Sequence, residues 1–409
     1  MDNVMKEEKE LKLDKSNWIP TKLGDLASEI SKRVDNPSES AYDRFVGLGN
    51  FVSGDIKIKT WEPTDNLASS AKAFQAGDIL FARRNAYLRR ASMVDFDGCC
   101  SGDAFILREN HDRVVPGFLA FLLNSNALWD YANSNAAGTM SKRVKWRDLA
   151  EYEFLLPPKD QQAKLAELLW AMDEVVEKEN EALNNLYDTY STSINQFMIH
   201  GNYGDDGEIV KTKCGLLDKR IKTIKLKECL LEKPTYGANA SSKPFENGSL
   251  RYIRITDIDD EGNLIEEDKV TIDSTEYSQY ILKDQDFLFA RTGNTVGKTL
   301  LYDSQMEESV FAGYLIRFRV NPIVLKPKFL FYFTKSLKYE SFKRKMIKIG
   351  AQPNINSEEY QSMVLPCFSI EIQQELIDRL DFMKSNIDSL KSKIQSSKAL
   401  QKSLINQVF

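Results

Sequence analysis

Apolar side chains recur along the chain with two different spacings, and the two spacings alternate. Short apolar and β-branched runs, such as Arg44-Phe-Val-Gly-Leu and Asp78-Ile-Leu-Phe-Ala, are bounded by Gly, Asn, Asp or Pro and predict strands. Apolar stretches from Gly117 to Asn126 and from Lys328 to Leu337 predict buried helices. Two long polar stretches carry apolar residues at heptad spacing instead. The predicted order is therefore a mixed α/β segment, a long helix, a second α/β segment and a second long helix.

The second half of the chain repeats the first about 210 residues later. The matching pairs are Gly77-Asp-Ile-Leu-Phe-Ala-Arg83 with Gln285-Asp-Phe-Leu-Phe-Ala-Arg291, Pro116-Gly-Phe-Leu-Ala-Phe-Leu122 with Pro327-Lys-Phe-Leu-Phe-Tyr-Phe333, Gly138 to Pro157 with Gly350 to Pro366, and Gln161-Gln162 with Gln373-Gln374. Two copies are too few for a solenoid, whose period would also be several times shorter.

The heptad spacing predicts a coiled coil. In the first long stretch the apolar positions are Leu169, Val176, Leu183, Tyr190 and Phe197, complemented by Leu165, Met172 and Leu186 and interrupted by Glu179 and Ser193. In the second they are Leu380, Ile387, Ile394 and Val408, complemented by Leu376, Met383, Leu390 and Leu404 and interrupted by Ser397 and Gln401. Heptads sustained over about five repeats favour a coiled coil over a merely amphipathic helix. The alternative is that each helix packs only on its own α/β domain.

Connectivity sets the predicted fold class. The second helix can bury its seam only by returning along the first, so we expect an α+β or mixed fold with two similar α/β domains joined by two long antiparallel coiled-coil helices. A pseudo-two-fold would relate the halves, and each helix would be on the order of 60 Å long. The predicted segments are a charged tail at 1–15, domain 1 at 16–156, the first helix at 157–200, a linker at 201–219, domain 2 at 220–365 and the second helix at 366–409.

Composition indicates an ordinary soluble protein, and we expect it in the cytoplasm. Of its 409 residues 42% are apolar and 28% are charged, and no apolar run approaches the length of a membrane span. Its five cysteines show neither metal-ligand spacing nor a disulfide framework, so we expect free thiols. Only two histidines are present, His111 and His200, and their separation in the sequence argues against a histidine dyad or a multi-histidine metal site. We expect no metal and no cofactor.

Net charge does not decide whether the chain binds DNA. The overall value is −5, but residues 157–200 hold three basic and eight acidic side chains and account for the whole excess. The two α/β domains are close to neutral, and a neutral domain can still present a basic face.

One segment invites an enzymatic interpretation. Gly293-Asn-Thr-Val-Gly297-Lys298-Thr299 follows a predicted strand and is similar to a Walker A phosphate loop. Only three residues separate its glycines where that motif has four, so the loop cannot present the same backbone N–H groups to phosphates. We expect a glycine turn between two strands instead. We find no amino-methyltransferase signature, no dinucleotide-binding glycine loop and no nucleophile triad, so we expect a binding protein without catalysis of its own.

Polar side chains concentrate in loops at matching places of the two copies. They are Arg83, Arg84, Arg89 and Arg90, then Lys142, Arg143 and Lys145 in the first copy, and Arg291, Thr292, Asn294 and Lys298, then Gln352, Asn354 and Asn356 in the second. A third candidate segment, in the second copy, runs from Tyr236 to Lys243. Arg pairs with guanine and Asn or Gln with adenine, while Lys and Ser contact phosphates. One scaffold carrying different polar residues is what two different DNA half-sites require. For any single residue, simple solvation at the surface is the alternative.

The chain resembles the specificity subunit of type I restriction-modification systems over nearly all of residues 16–409. The resemblance rests on the duplicated plan, on Asp286-Phe-Leu-Phe-Ala-Arg-Thr-Gly-Asn-Thr-Val-Gly-Lys298, on Tyr236-Gly-Ala and on the paired Leu-Pro…Gln-Gln helix starts at Leu156 and Leu365. It implies two target recognition domains that read a bipartite, asymmetric DNA sequence with a fixed gap, separated by a coiled-coil spacer. It also implies two adenine-methyltransferase subunits as partners and, optionally, two restriction subunits. Domain 1 departs from the glycine pattern, with Arg84-Asn85-Ala86 where domain 2 has Thr292-Gly293-Asn294.

Two other functions remain open at this point. A coiled-coil scaffold whose repeated domains bind protein would show the same repeat and heptads. A nucleotide-dependent nuclease acting alone would need the glycine turn to bind ATP.

Overall fold

The computed structural model of the chain describes residues 13–139, 141–204, 206–246, 248–272, 277–347 and 352–409. They form two compact units, each containing one α/β domain and segments of both long helices. The first unit is Met1–Ala182 with Leu390–Phe409, and the second is Leu183–Ser389. Most of the predicted tail at 1–15, and Gly350 at the start of one repeated segment, lie outside the described residues.

Domain 1 consists of short strands and short helices. Its strands are β1 (Ile19–Lys22), β2 (Ala27–Ile30), β3 (Lys32–Val34), β4 (Arg44–Val46), β5 (Glu62–Pro63), β6 (Ala71–Phe74), β7 (Ile79–Ala82), β8 (Ala91–Met93), β9 (Gly98–Cys100), β10 (Ala104–Glu109) and β11 (Glu153–Leu156). Its helices are α1 (Leu119–Leu122), α2 (Asn126–Ser134) and α3 (Trp146–Leu149). One sheet has the strand order β2-β10-β7-β8 and a second has the order β3-β6-β9-β4-β5.

Strand β7 shows why these strands are apolar throughout instead of alternating. Ile79 and Phe81 point into the core shared with the helices, where the Phe81 ring stacks on Trp129 with centroids 4.5 Å apart. Leu80 points the other way, into a core that includes Val46 of the second sheet. A sheet covered on both faces has no solvent side, so its central strands are apolar at every position.

The long helix α4 (Lys159–His200) follows domain 1. It leads to a hairpin of β12 (Ile209–Thr212) and β13 (Gly215–Asp218), which lies where the sequence predicted only a linker. The hairpin is anchored because Leu217 is buried in the core of the second unit. Arg220 donates to the Asp218 carboxylate and lowers the pKa of that carboxyl to about 2.

Domain 2 repeats the plan of domain 1. Its strands are β14 (Lys222–Lys225), β15 (Thr235–Tyr236), β16 (Lys243–Pro244), β17 (Arg251–Ile253), β18 (Val270–Thr271), β19 (Phe287–Ala290), β20 (Thr299–Leu301), β21 (Ser309–Phe311), β22 (Leu315–Phe318) and β23 (Val364–Cys367). Its helices are α5 (Pro327–Phe333), α6 (Leu337–Met346) and α7 (Ser357–Gln361), and the chain continues into α8 (Ile370–Val408). The order β15-β22-β19-β20 matches β2-β10-β7-β8, and the parallel pair β17–β21 matches β4–β9.

An ion pair between a buried aspartate and a partly exposed arginine recurs at the same place in both domains. Asp78 accepts hydrogen bonds from Arg108 at 2.7 and 2.8 Å, and Asp286 accepts them from Arg319 at 2.6 and 3.1 Å. Each carboxylate also accepts a backbone N–H three residues earlier in the chain. Because bidentate pairs demand specific geometry, their recurrence shows that the sequence repeat is a repeat of structure.

The two ends of each domain meet in a two-stranded ladder. In domain 1, β1 pairs with β11 so that Ile19 lies opposite Leu156. In domain 2, β14 pairs with β23 so that Lys222 lies opposite Cys367. Each domain is therefore an inserted module whose entry and exit are adjacent.

The long helices run antiparallel within each unit. In the first unit Leu165 and Leu169 of α4 share a core with Leu404 and Val408 of α8. In the second, Phe197 of α4 shares a core with residues of α8. Both cores also contain domain residues, so each helix packs on its domain and on the other helix. The predicted mixed fold with two similar α/β domains and two long antiparallel helices is confirmed.

Two buried acids occupy the seam of the first unit. The predicted interruption at Glu179 is buried, with an oxygen 3.3 Å from Lys393 Nζ. Asp173 is also buried and accepts a hydrogen bond of 3.2 Å from Gln401, another predicted interruption. Lys57 Nζ lies 3.8 Å from Asp173. Burial raises the pKa of the Asp173 carboxyl. Such polar layers favour one helix register because a slipped register would leave the buried groups unpaired.

We expect Asp173→Asn to stabilise the protein at neutral pH. The raised pKa of Asp173 means that the folded state binds its proton more tightly than the unfolded chain does, so its ionisation destabilises the fold as pH rises through the raised value. Asparagine keeps the acceptor for Gln401 without the charge. Urea unfolding at several pH values should show a gain at pH 7 that shrinks on acidification. Asp188→Asn, at an exposed position of the same helix, should show no such gain, and a pH-independent gain would contradict this assignment.

One glutamine of each pair ties its helix to its domain: the second of Gln161-Gln162 and the first of Gln373-Gln374. Gln162 accepts from Val115 N at 2.9 Å and donates to Pro157 O at 2.8 Å. Gln373 accepts from Lys326 N at 2.8 Å and donates to Val324 O and Phe368 O, each at 3.0 Å. Both side chains are buried. Gln162 and Gln373 therefore form equivalent structural joints, in which Phe368 takes the place of Pro157.

Replacing Gln373 by alanine is expected to destabilise the second unit by about 2–4 kcal/mol, since each buried group left unpaired costs about 1–3 kcal/mol. Among the described residues, the neighbouring Gln374 bonds only to the exposed Asp378, so Gln374→Ala should stay within about 0.5 kcal/mol of the parent. Thermal unfolding of the two variants side by side measures the difference. Equal losses would show that Gln373 is not a joint.

The five cysteines are free thiols, as the sequence predicted, and Cys367 is the exposed one.

Candidate nucleic-acid interface

Two loops meet beside the four-stranded sheet in each domain. The hairpin loop joins the last two strands of the sheet order, at residues 83–90 in domain 1 and 291–298 in domain 2. The helix-leading loop precedes a short helix, at residues 141–145 and 352–356.

The same two backbone hydrogen bonds hold the loops together in both domains. They are Val144 N to Arg83 O at 3.0 Å and Asn85 N to Lys142 O at 2.9 Å, matched by Ile355 N to Arg291 O at 2.9 Å and Gly293 N to Pro353 O at 3.0 Å. Bridges between positions 84 and 143 and between positions 292 and 354 complete the correspondence. Equivalent residues can therefore be compared one by one.

The hairpin loops have one backbone shape despite different sequences. Asn85 (φ 55°) and Arg89 (φ 49°) are left-handed where Gly293 (φ 69°) and Gly297 (φ 85°) stand in domain 2. Asparagine tolerates the left-handed conformation. For an arginine, as at position 89, the same conformation costs about 1 kcal/mol. Arg89 offsets this cost by donating to Asn126 and Asp130 of α2 at 2.7 and 2.9 Å. The missing glycines of domain 1 therefore do not change the fold of its loop.

Gly297 has a second reason to lack a side chain. A Cβ there would lie 2.1 Å from Cδ of Lys343, which crosses the loop from α6. The loop joins the antiparallel strands β19 and β20, with no helix after it, so the expected glycine turn is confirmed. Lys298 donates to Ile258 O at 3.1 Å and pairs with Asp260 at 3.0 Å.

Three arginines of domain 1 lie around the carboxylate of Asp103. Arg143 donates to both of its carboxylate oxygens, at 2.9 and 3.3 Å. Arg84 approaches within 3.5 Å and Arg83 within 3.9 Å. The hydrogen bond from Arg143 lowers the pKa of the Asp103 carboxyl, which is therefore ionised at neutral pH. Arg90 is instead bound to Leu48 O at 2.8 Å.

Arg291 has a different environment in domain 2. Its guanidinium lies over the ring of Tyr236 at 4.9 Å and of Tyr314 at 5.9 Å. Its buried Nε has no hydrogen-bond partner within the described residues. Tyr236 is held in turn by Ser357 N, which donates to its hydroxyl at 3.2 Å. Cation–π contacts of this kind fix a guanidinium plane without consuming its donors.

The Tyr236-Gly-Ala motif has a packing reason. A Cβ on Gly237 would lie 2.3 Å from the carbonyl oxygens of Phe311 and Ala312. Only glycine lets the chain pass this close, and the passage places Tyr236 beside Arg291.

The structure separates the predicted site residues into two groups. Arg89, Arg90 and Lys298 serve contacts within the protein, and Asn356 caps α7 by exchanging hydrogen bonds with Glu359. The others lie at or near the loop surface, half-buried or exposed: Arg83, Arg84, Lys142, Arg143, Lys145, Tyr236, Arg291, Thr292, Asn294, Gln352 and Asn354. Lys243 is exposed on β16, a strand of a separate sheet. Sequence reasoning missed Asp103 and Tyr314, which precede equivalent strands and carry no motif.

The described residues provide no metal site and no membrane span. They contain no group of three or more His, Cys, Asp or Glu side chains placed to hold a metal ion. None of their helices is both long and apolar enough to cross a bilayer.

Comparison with known proteins finds a family match over part of the chain. Residues 219–397 match the type I restriction modification DNA specificity domain. The specificity subunit of the type I restriction enzyme EcoDI from Escherichia coli is 25% identical over 187 residues, 44% of this chain and 41% of that subunit. The match therefore spans less than half the length of that relative.

Two solved structures share the fold. One, from work on complex assembly and conformational transition of the type I R-M system, has a TM-score of 0.59 at 20% identity over 96% of this chain and 97% of its own. The other is the S subunit of a type I restriction-modification system from M. genitalium, with a TM-score of 0.54 at 15% identity over 98% of both chains. Residues 219–397 therefore match a type I restriction modification DNA specificity domain, the two solved structures share the fold of the chain, and domain 1 repeats the plan of domain 2.

Proposed function

We propose that this chain is the non-catalytic specificity subunit of a type I restriction-modification complex in the cytoplasm. Each α/β domain reads one half of a bipartite, asymmetric target in double-stranded DNA. The spacer helices α4 and α8 set an unread gap of constant length between the halves. The match of residues 219–397 to the DNA specificity domain supports this function, and the loop geometry is the observation that carries it.

That observation is the contrast between a constant backbone and variable side chains. The paired loops have the same hydrogen bonds and the same left-handed positions in both domains. Their surface residues differ: Arg84 corresponds to Thr292, and Arg143 corresponds to Asn354. Arg83 and Arg291 are identical. A constant frame with exchanged polar groups is suited to reading different bases, whereas a shared arginine suits a contact common to both half-sites, such as a phosphate.

The proposed DNA contacts are the residues that the fold leaves near the loop surface. In domain 1 they are Arg83, Arg84, Lys142, Arg143 and Lys145; in domain 2 they are Tyr236, Lys243, Arg291, Thr292, Asn294, Gln352 and Asn354. Four further residues stabilise the loops through contacts within the protein and do not contact DNA in this proposal: Arg89, Arg90, Lys298 and Asn356.

The proposed protein partners are two adenine-methyltransferase subunits and, where restriction occurs, two restriction subunits. The outward faces of the long helices are the proposed docking surfaces. Residues 157–200 carry the acidic excess of the chain, and apolar side chains are exposed beside it at Leu168 and Val175 of α4. The second helix exposes Phe382 and Leu400. Apolar groups on an otherwise polar helix surface are typical of protein interfaces.

Co-expression with an adenine methyltransferase of such a system, followed by mapping of modified adenines, tests the proposal. We expect a non-palindromic motif of two short parts separated by a constant gap. Binding of the complex to that motif should weaken steeply with salt, because phosphate contacts release counterions. A continuous palindrome, or salt-insensitive capture of protein instead of DNA, would favour a scaffold function.

We expect the purified chain alone to show no ATP hydrolysis, DNA cleavage or methylation. The side chain of Lys298, which a phosphate loop would need, is occupied by Ile258 O and Asp260. Steady-state ATPase assays of the parent and of Lys298→Ala should both remain at background. Hydrolysis that Lys298→Ala abolishes would overturn this expectation.

A further inference from the structure

The arginine cluster of domain 1 is built around a carboxylate. Asp103 receives two hydrogen bonds from Arg143 and lies within 3.5 Å of Arg84. Arg84 is fixed a second time, because its Nε donates to Ser141 Oγ at 2.7 Å. Its backbone pairs with that of Arg143. Two guanidinium groups from two different loops are therefore held in set orientations.

The equivalent position in domain 2 has no carboxylate. Tyr314 takes the place of Asp103, since Arg83 N donates to Asp103 O and Arg291 N donates to Tyr314 O at the same distance of 3.0 Å. Thr292 and Asn354 take the places of Arg84 and Arg143. Domain 1 therefore has the carboxylate together with Arg84 and Arg143, whereas domain 2 has neither the carboxylate nor these two arginines.

A carboxylate in such a place is unfavourable for phosphate binding. It cancels part of the positive potential and repels the phosphate oxygens. Base reading has a different requirement, because a guanidinium must meet the acceptor edge of guanine in the correct plane. Each arginine has five N–H donors, so Arg84 and Arg143 keep donors for a ligand after binding Asp103.

We propose that domain 1 reads guanine through Arg84 and Arg143, and that Asp103 is the positioning residue that sets their guanidinium planes. This inference rests on the proposed DNA-reading function and adds to it the base that domain 1 reads and the residue that fixes the geometry. Domain 2 lacks this cluster and reads its half-site with other groups.

Selection of duplexes from a randomised library by the full-length chain in complex with its adenine methyltransferase, followed by sequencing, tests the inference. The parent chain should select a two-part motif with at least one guanine in the half that domain 1 reads. Asp103→Ala should lower the preference for that guanine by about 5- to 150-fold, the range that one bidentate base contact provides. Affinity for random duplex should stay the same or rise, because a negative charge has been removed.

Arg143→Lys is the companion variant, since it keeps the charge and loses the planar fork. It should relax the same guanine position. The half-motif read by domain 2 serves as an internal control for folding, and it should be unchanged in both variants.

Three results would count against the inference. Guanine preference could survive in both variants, or Asp103→Ala could weaken binding to all duplexes equally, or the parent motif could contain no guanine in that half. If the parent selects no motif at all, the DNA-reading function itself fails, which is a distinguishable outcome.

Discussion

Ile387→Asp is expected to unfold the second unit at moderate denaturant concentration. Ile387 lies on α8 and is fully buried, so the substitution removes an apolar side chain from the core and places an unpaired charge there. The expected loss of stability is about 4 kcal/mol or more, from the lost burial and the desolvation of the charge together. Urea unfolding followed by circular dichroism measures it.

Phe382→Asp is the matched control, because Phe382 is on the same helix and 69% exposed. Its stability should change by less than about 0.5 kcal/mol. Leu183, on α4, is only half-buried, so Leu183→Asp should fall between the two. Equal stability of the Ile387 and Phe382 variants would refute the buried helix seam. Since Phe382 belongs to a proposed docking surface, its variant should instead lose co-purification with the methyltransferase.

Transplanting domain 1 into the place of domain 2 is expected to change one half of the DNA motif completely. Residues 19–156 would replace residues 222–367, so that the cuts fall at the strand pairs β1–β11 and β14–β23 where entry and exit are adjacent. Gln162 and Gln373 join the two helices to their domains by equivalent hydrogen bonds. The inserted domain therefore meets a joint that it already fits.

The chain with two copies of domain 1 should select two equivalent half-motifs, each the one that domain 1 reads in the parent. Duplex selection and sequencing show this directly. The reciprocal chain, with two copies of domain 2, should give the other half-motif twice. A motif in which both halves differ from the parent would mean that specificity does not reside in separate domains.

The architecture could be predicted from the sequence because the heptad spacing and the internal repeat are both visible there. Heptads at Leu165, Leu169, Leu376 and Leu380 marked the helix seam, and the duplicated Asp-x-Leu-Phe-Ala strand marked the two domains. The hairpin within 201–219 escaped prediction because Gly and Asp predominate there and only its tertiary contacts make it a structure. The sequence predicted that Glu179 interrupts the apolar seam. In the structure Glu179 is buried, because it pairs with Lys393 of the other helix.

The candidate site could be predicted only in part. Arginines and amides in matching loops were visible, but sequence could not distinguish Arg89, which supports the loop, from Arg84, which lies at its surface. That distinction depends on α2, whose Asn126 and Asp130 are distant in sequence. Asp103 was missed for the same reason: a single aspartate before a strand acquires meaning only when three arginines from two loops converge on it.

The first unit is formed from two segments that are far apart in the sequence, and this has a consequence for biosynthesis. Leu404, Ile405 and Val408 belong to the same core as Phe118 and Leu119, yet the ribosome makes them after the whole of the second unit. At about 5–20 residues per second, domain 1 waits on the order of 10–50 s with part of its core open to water. Chaperones have that interval in which to bind it, and a chain interrupted before Leu390 keeps the exposed surface permanently. Degradation of such fragments would keep incomplete chains away from their partners.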